Sequence, residues 1–215
     1  MRRAPWWVLL SSAGAPVFLV GGSTIAQRLQ GPTYDPARDT LSILASYGAR
    51  GYWLMTGVLI VLGASYLATA HGLREAAFPG RLALAGGGLS AVALTLVPAP
   101  VSGGALKHGL VAGTGFVLLA IWPALAARRG GKNVPWGLNF KVAVVATVLM
   151  CAAAVWFAVE LQNGQAPGVA ERVVTFVQAV WPLVVAISCR VWSGAPAPAR
   201  ERSTGPEQPA GDEGR

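Results

Sequence analysis

Long apolar runs alternate with short polar breaks along this chain, and the runs set its architecture. Six of them, Trp6–Ala26, Gly51–Ala70, Leu82–Val97, Gly109–Ala127, Val142–Val159 and Val173–Cys189, contain no Asp, Glu, Lys or Arg. A hydrocarbon core about 30 Å thick is crossed by ~20 helical residues, with ~17 as the short limit, so the third run is marginal and the others are long enough. Backbone amides in lipid must be satisfied within the segment, which selects helices. The expected fold is all-α, a polytopic membrane bundle of six transmembrane helices. It occupies residues 1–192, and residues 193–215, rich in Pro, Gly, Ser and Glu, are expected to form a disordered cytoplasmic tail. Arg2 and Arg3 precede the first run as they would in a signal peptide. The run nevertheless continues past Ala13-Gly14-Ala15 through Val17-Phe18-Leu19-Val20, so a retained helix is expected.

The polar breaks are short except for the first outer loop, Arg28 to Arg50. Within it, Tyr34-Asp35-Pro36-Ala37-Arg38-Asp39-Thr40-Leu41-Ser42 reads as a helix start: Asp35 caps, Pro36 fits the first turn, and Asp39 pairs with Arg38 or faces the dipole. Leu41, Leu44 and Ala45 then make a narrow apolar stripe, so a short interfacial helix is expected on the outer membrane face.

Composition sharpens this picture. With 53% hydrophobic and only 12% charged residues, the chain lies far from a soluble protein. A net charge of +8 would suggest nucleic acid in a soluble chain; here the excess lies in helix-connecting loops, and no nucleic-acid partner is expected. Arg2, Arg3, Arg74, Arg81, Arg128, Arg129, Lys132, Lys141 and Arg190 fall on one side of the bundle, against Arg28, Arg38, Arg50, Lys107 and Arg172 on the other. The positive-inside rule then predicts a multi-pass protein of the cell (plasma) membrane with both termini cytoplasmic. Cys151 and Cys189 sit at different depths, as packing residues rather than a disulfide pair.

The candidate chemistry collects on the predicted outer face. Asp35, Arg38 and Asp39 come from the first loop, His108 opens the fourth helix, and Glu171 with Arg172 opens the sixth. Glu171, Thr175 and Gln178 recur at i, i+4, i+7 and share one helix face. Polar groups at depth are costly unless they face the bundle interior or water. Asp35, Arg38, Asp39, His108, Glu171, Arg172 and Gln178 are therefore the expected ligand-binding residues of an outward-facing polar cavity. Arg172 is expected to turn toward an acid such as Asp35, Asp39 or Glu160. His71 and His108 lie at opposite membrane faces, about 25–30 Å apart, and cannot share a metal or haem iron; no zinc spacing occurs, and no metal or cofactor is expected. No catalytic residue is assigned. Trp122-Pro123 and Trp181-Pro182 read as kinks with Trp at the inner interface. Small residues, including Gly109-x-x-x-Gly113, suit close helix packing within the chain and leave open a homo-oligomer.

These elements resemble the bacterial integral-membrane family known as domain of unknown function 998. The resemblance is carried by Tyr34-Asp35-Pro36-Ala37-Arg38-Asp39-Thr40-Leu41-Ser42, His108-Gly109, Trp122-Pro123, Glu171-Arg172 and Trp181-Pro182, over residues 6–192. It implies a six-helix membrane protein with no established reaction to carry over. A looser likeness to the Frag/DRAM/Sfk group tilts the expectation toward membrane lipids as partners. Function is expected to be the binding or handling of a lipid or other amphiphile. The alternative is a membrane-embedded hydrolase or transferase in which His108 and nearby acids act on a lipid-linked substrate.

Overall fold

The computed structural model describes residues 4–100, 105–129 and 134–192. The predicted tail lies outside the described residues, as does Lys132. In chain order the helices are α1 (Trp6–Gln30), α2 (Leu41–Leu44), α3 (Tyr52–Gly72), α4 (Phe78–Ala93), α5 (Leu106–Ala126), α6 (Phe140–Asn163) and α7 (Pro167–Val191). Short 3-10 turns follow α4 at Leu94–Leu96 and precede α6 at Trp136–Leu138.

Five helices, α1, α3, α5, α6 and α7, are long and apolar enough to cross a membrane. The run expected at Leu82–Val97 is realised as α4, shifted toward the N-terminus and only 16 residues long. Pro79 in its first turn starts it early. Pro98 disfavours helical geometry at Val97, so the chain tightens into the 3-10 turn and leaves the helix.

The six long helices pack in a closed ring in chain order, each against the next, with α7 returning to α1. Hydroxyls stitch neighbours together: Ser11 to Thr69 at 2.9 Å between α1 and α3, and Ser90 to the Val111 carbonyl at 2.5 Å between α4 and α5. The outer surface is apolar, with Leu10, Val17, Leu149 and Val191 each more than three-fifths exposed. Water would not tolerate so large an apolar surface, whereas hydrocarbon does. Arginines at one end satisfy helix-terminal and loop carbonyls: Arg81 donates to Ala70 and His71, Arg128 to Glu75, and Arg190 to Ala4. Cys151 and Cys189 are both free thiols.

The opposite end is closed by the α1–α3 loop, which docks on the first turns of α7. Arg172 Nη1 donates to the carbonyls of Pro36 (2.8 Å), Asp39 (3.1 Å) and its own Gly168 (2.9 Å), and Nη2 donates to the Tyr34 hydroxyl (2.6 Å). The Val169 amide, one of the unpaired donors of a helix N-terminus, donates to the Ala37 carbonyl. The turn of loop against α7 is tight enough that a Cβ on Gly168 would lie 2.5 Å from the carbonyl oxygens of Pro36 and Asp39. Tyr34 is buried, which pushes its phenol above its ordinary ionisation range against the opposing pull of Arg172. It stays neutral and donates onward to the Asp39 and Thr40 carbonyls.

This docking explains why the helix expected from Pro36 is absent. Its would-be hydrogen-bonding carbonyls at Pro36, Ala37 and Asp39 are held by α7. Residues 35–39 therefore form turns in which Asp35 caps Ala37 at 2.9 Å, and helix begins only at Leu41. Arg172→Ala should leave two loop carbonyls, the Gly168 carbonyl and a phenol without their donor, lowering stability by about 1.5–3 kcal/mol. Lysine cannot span the same fork of acceptors, so Arg172→Lys should recover only part of the loss. Thermal unfolding in detergent, with limited proteolysis across residues 31–50, reads both. Gly168→Ala should likewise expose the loop, and parental proteolysis in all three variants would show the docking to be dispensable.

Candidate functional site

Two apolar cavities meet beneath the docked loop. The inner one, about 110 Å³, lies inside the ring among α1, α3, α4, α5 and α7 and is lined by residues such as Leu19, Met55, Leu62 and Leu119. The outer one, about 600 Å³, is a groove between α5 and α6, lined by Gly113, Val117, Ala154, Phe157 and Leu161. Its volume falls in the range of small-molecule sites. Ser42, His108 and Glu171 line both and form a polar wall between them. Phe116 also lines both, packed edge-on against Phe157 with ring centroids 5.5 Å apart.

Three separate elements build that wall. Glu171, only 4% exposed, reaches from α7 to cap the first turn of α2, accepting from the Leu41 amide and, at 3.0 Å, from the Ser42 hydroxyl. His108, in the first turn of α5, places Nδ1 2.9 Å from the Val97 carbonyl and Nε2 3.3 Å from Ser42 Oγ. A carbonyl only accepts, so Nδ1 carries the proton and, in the neutral ring, Nε2 presents its lone pair to Ser42. Ser42 has one hydroxyl proton and gives it to Glu171, so Nε2 faces the Ser42 oxygen with its lone pair free, and the three side chains stand side by side across the mouth of the inner cavity.

Deeper along α7, the Thr175 hydroxyl donates back to the Glu171 and Arg172 carbonyls. Gln178, 1% exposed, donates its Nε2 to the Phe116 carbonyl at 3.0 Å, while its buried Oε1 has no partner among the described residues. Such an orphan acceptor in a cavity wall is unusual in a folded protein.

Of the residues singled out from sequence, His108, Glu171 and Gln178 converge on the cavities. Asp35 and Arg38 are exposed, and the Asp39 carboxylate accepts from the Asp35 amide at 2.8 Å; none of the three lines either cavity. Arg172 faces the loop, and its partners are carbonyls and a phenol in place of the expected acids. Glu160 caps the α6–α7 connection by accepting from Ala166. Ser42 and Tyr34 were not picked out as site residues; Ser42 carried a signal, standing inside the loop element that marks the helix start. Gly109 and Gly113 do not pack closely: a Cβ on either meets no atom within 4 Å, because they floor the groove where α5 stands off from α6. Trp122 is fully buried inside the ring and is no interface anchor. Among the described residues, no group of three His, Cys, Asp or Glu is placed to hold a metal ion.

No curated protein and no solved structure matches the chain. A family model does, across residues 12–188, which takes in the whole site from Tyr34 to Gln178. The chain belongs to the family described as protein of unknown function (DUF998), and it is a multi-pass helical membrane protein.

Proposed function

We propose that this protein binds a lipid or other amphiphile, with the apolar portion in the α5–α6 groove and the polar end at Ser42, His108 and Glu171. The observation that carries this reading is the polar wall shared by two apolar cavities. A buried polar cluster flanked by apolar walls matches a molecule with a small head and a long apolar body. The groove floor supports it as well, since Gly109 and Gly113 leave room there without filling it.

A second reading, hydrolysis or group transfer on a lipid-linked substrate, draws on the 3.3 Å approach of His108 Nε2 to Ser42 Oγ, the spacing of a base and its nucleophile. The surroundings favour binding instead. Attack by Ser42 would develop an oxyanion beside the Glu171 carboxylate, which also occupies the nearby Leu41 amide that could have stabilised it.

We place α4 across the membrane with the other five long helices, its 3-10 extension lengthening a helix that alone rises about 24 Å. Both termini are cytoplasmic in this reading, in the plasma membrane, so the loop end faces outward. Arg74, Arg81, Arg128, Arg129, Lys141 and Arg190 at the other end support that orientation. Reporter fusions after Arg129 and after Arg190 should both give cytoplasmic signals; an external signal from either reverses the site to the inner face.

Native mass spectrometry of the detergent-purified protein should detect a retained amphiphile. Gly113→Leu fills the groove and replaces a helical glycine with a better helix former, so its melting temperature should hold or rise while retention drops. Unchanged retention in that variant would remove the groove from the binding site. Hydrolytic turnover of a lipid ester by the parent, abolished in Ser42→Ala, would favour the enzymatic reading.

A further inference from the structure

Resting on the binding reading above, we infer that the polar end of the ligand is a hydrogen-bond donor without negative charge, a hydroxyl or an ammonium, and that phosphate- and carboxylate-headed lipids are excluded. The inference comes from an inventory of what the wall offers. Hydroxyl protons around the head position are committed within the protein: Ser42 to Glu171, Thr175 to the Glu171 and Arg172 carbonyls, and Ser90 to Val111. His108 gives its Nδ1 proton to Val97. What remains directed into the cavities is mostly accepting capacity: the lone pair of His108 Nε2, the oxygens of Glu171, and Gln178 Oε1, buried and unpartnered, against which stand the Thr40 hydroxyl in the outer groove and the second amide proton of Gln178, neither of them charged. Tyr66 adds a phenol, able to donate or accept, and no charge.

Charge points the same way. Among the described residues lining the two cavities there is no Lys or Arg, and Glu171 is the one acid. The nearest guanidinium, on Arg172, is committed to three carbonyls and Tyr34 on the far side of α7's first turn. An anionic head would thus meet a buried carboxylate with no free cation, the arrangement that binding sites avoid. A hydroxyl or ammonium would instead satisfy the Gln178 acceptor and reach Glu171. The inner cavity, only about 110 Å³, admits a small head or a short apolar end but no bulky headgroup.

The test compares four probes that share a dodecyl chain: dodecan-1-ol, dodecylamine, dodecanoate and dodecyl phosphate, each added at equal concentration to the full-length protein in neutral detergent and read by native mass spectrometry. The alcohol or the amine, or both, should be retained over the two anions by about tenfold or more. Which of the two leads identifies the head as hydroxyl or ammonium. Glu171→Gln keeps an acceptor for the Leu41 amide while removing the charge, so the amine should weaken and the gap to dodecanoate should narrow. Gln178→Leu removes the orphan acceptor and should weaken the alcohol. The parent ranking stands as a test even if either variant fails to fold. Equal retention of all four probes, or preference for an anion, overturns the head-group assignment; if Gly113→Leu still abolishes that retention, amphiphile binding itself survives. Retention of none of the four overturns the binding reading as well.

Discussion

Successive residues on a helix point about 100° apart, and the first turns of α7 exploit that divergence. Glu171 turns inward to cap α2, and Arg172 turns outward to gather the carbonyls of residues 36 and 39. The buried carboxylate would be costly alone, while the guanidinium is half-buried. The carboxylate is offset by an amide, a hydroxyl and the neighbouring guanidinium, and the guanidinium by three carbonyls and a phenol. One dipeptide thereby fixes the position of the α1–α3 loop, the start of α2 and, through Glu171, the Ser42 hydroxyl that faces His108. Loss of that dipeptide would release loop and wall together.

Around this anchor the ring is held by modest forces. Interhelical hydrogen bonds such as Ser11 to Thr69 and Gln178 to Phe116 contribute about 0.6 kcal/mol each in a membrane setting, so shape carries much of the remainder. Where glycine meets backbone, helices lock: a Cβ on Gly80 would collide with the Ala126 main chain between α4 and α5. Further along α5 the same small residue has no neighbour, and the helices part to leave the groove. Glycine therefore serves opposite ends on one helix pair and the next, contact against α4 and vacancy against α6.

The spans were legible because hydrocarbon imposes length and polarity on every residue of a helix, as in the charge-free runs that became α1, α3, α5, α6 and α7. The limits of α4 were less so, since Pro79 and Pro98 act at its edges and leave its apolar run unchanged. In the site, the i, i+4, i+7 spacing of Glu171, Thr175 and Gln178 was visible because helical periodicity is local. The partners of Arg172 were not. Its acceptors are backbone carbonyls, which every residue possesses, so no side-chain pattern announces them. For the same reason Asp35 looked like a helix cap, while the actual cap of α2 comes from Glu171, 130 positions away in sequence.

The welding of the loop to α7 has a consequence for supply. With the end of the bundle closed by Arg172 and Tyr34, the wide opening to Ser42 and His108 is the side of the bundle, between α5 and α6. A ligand using that door arrives from the bilayer and not from water. An amphiphile is concentrated in the membrane far above its free aqueous level, so occupancy follows its mole fraction among lipids. Selectivity at such a site is therefore judged against the surrounding lipids, which compete at the same door.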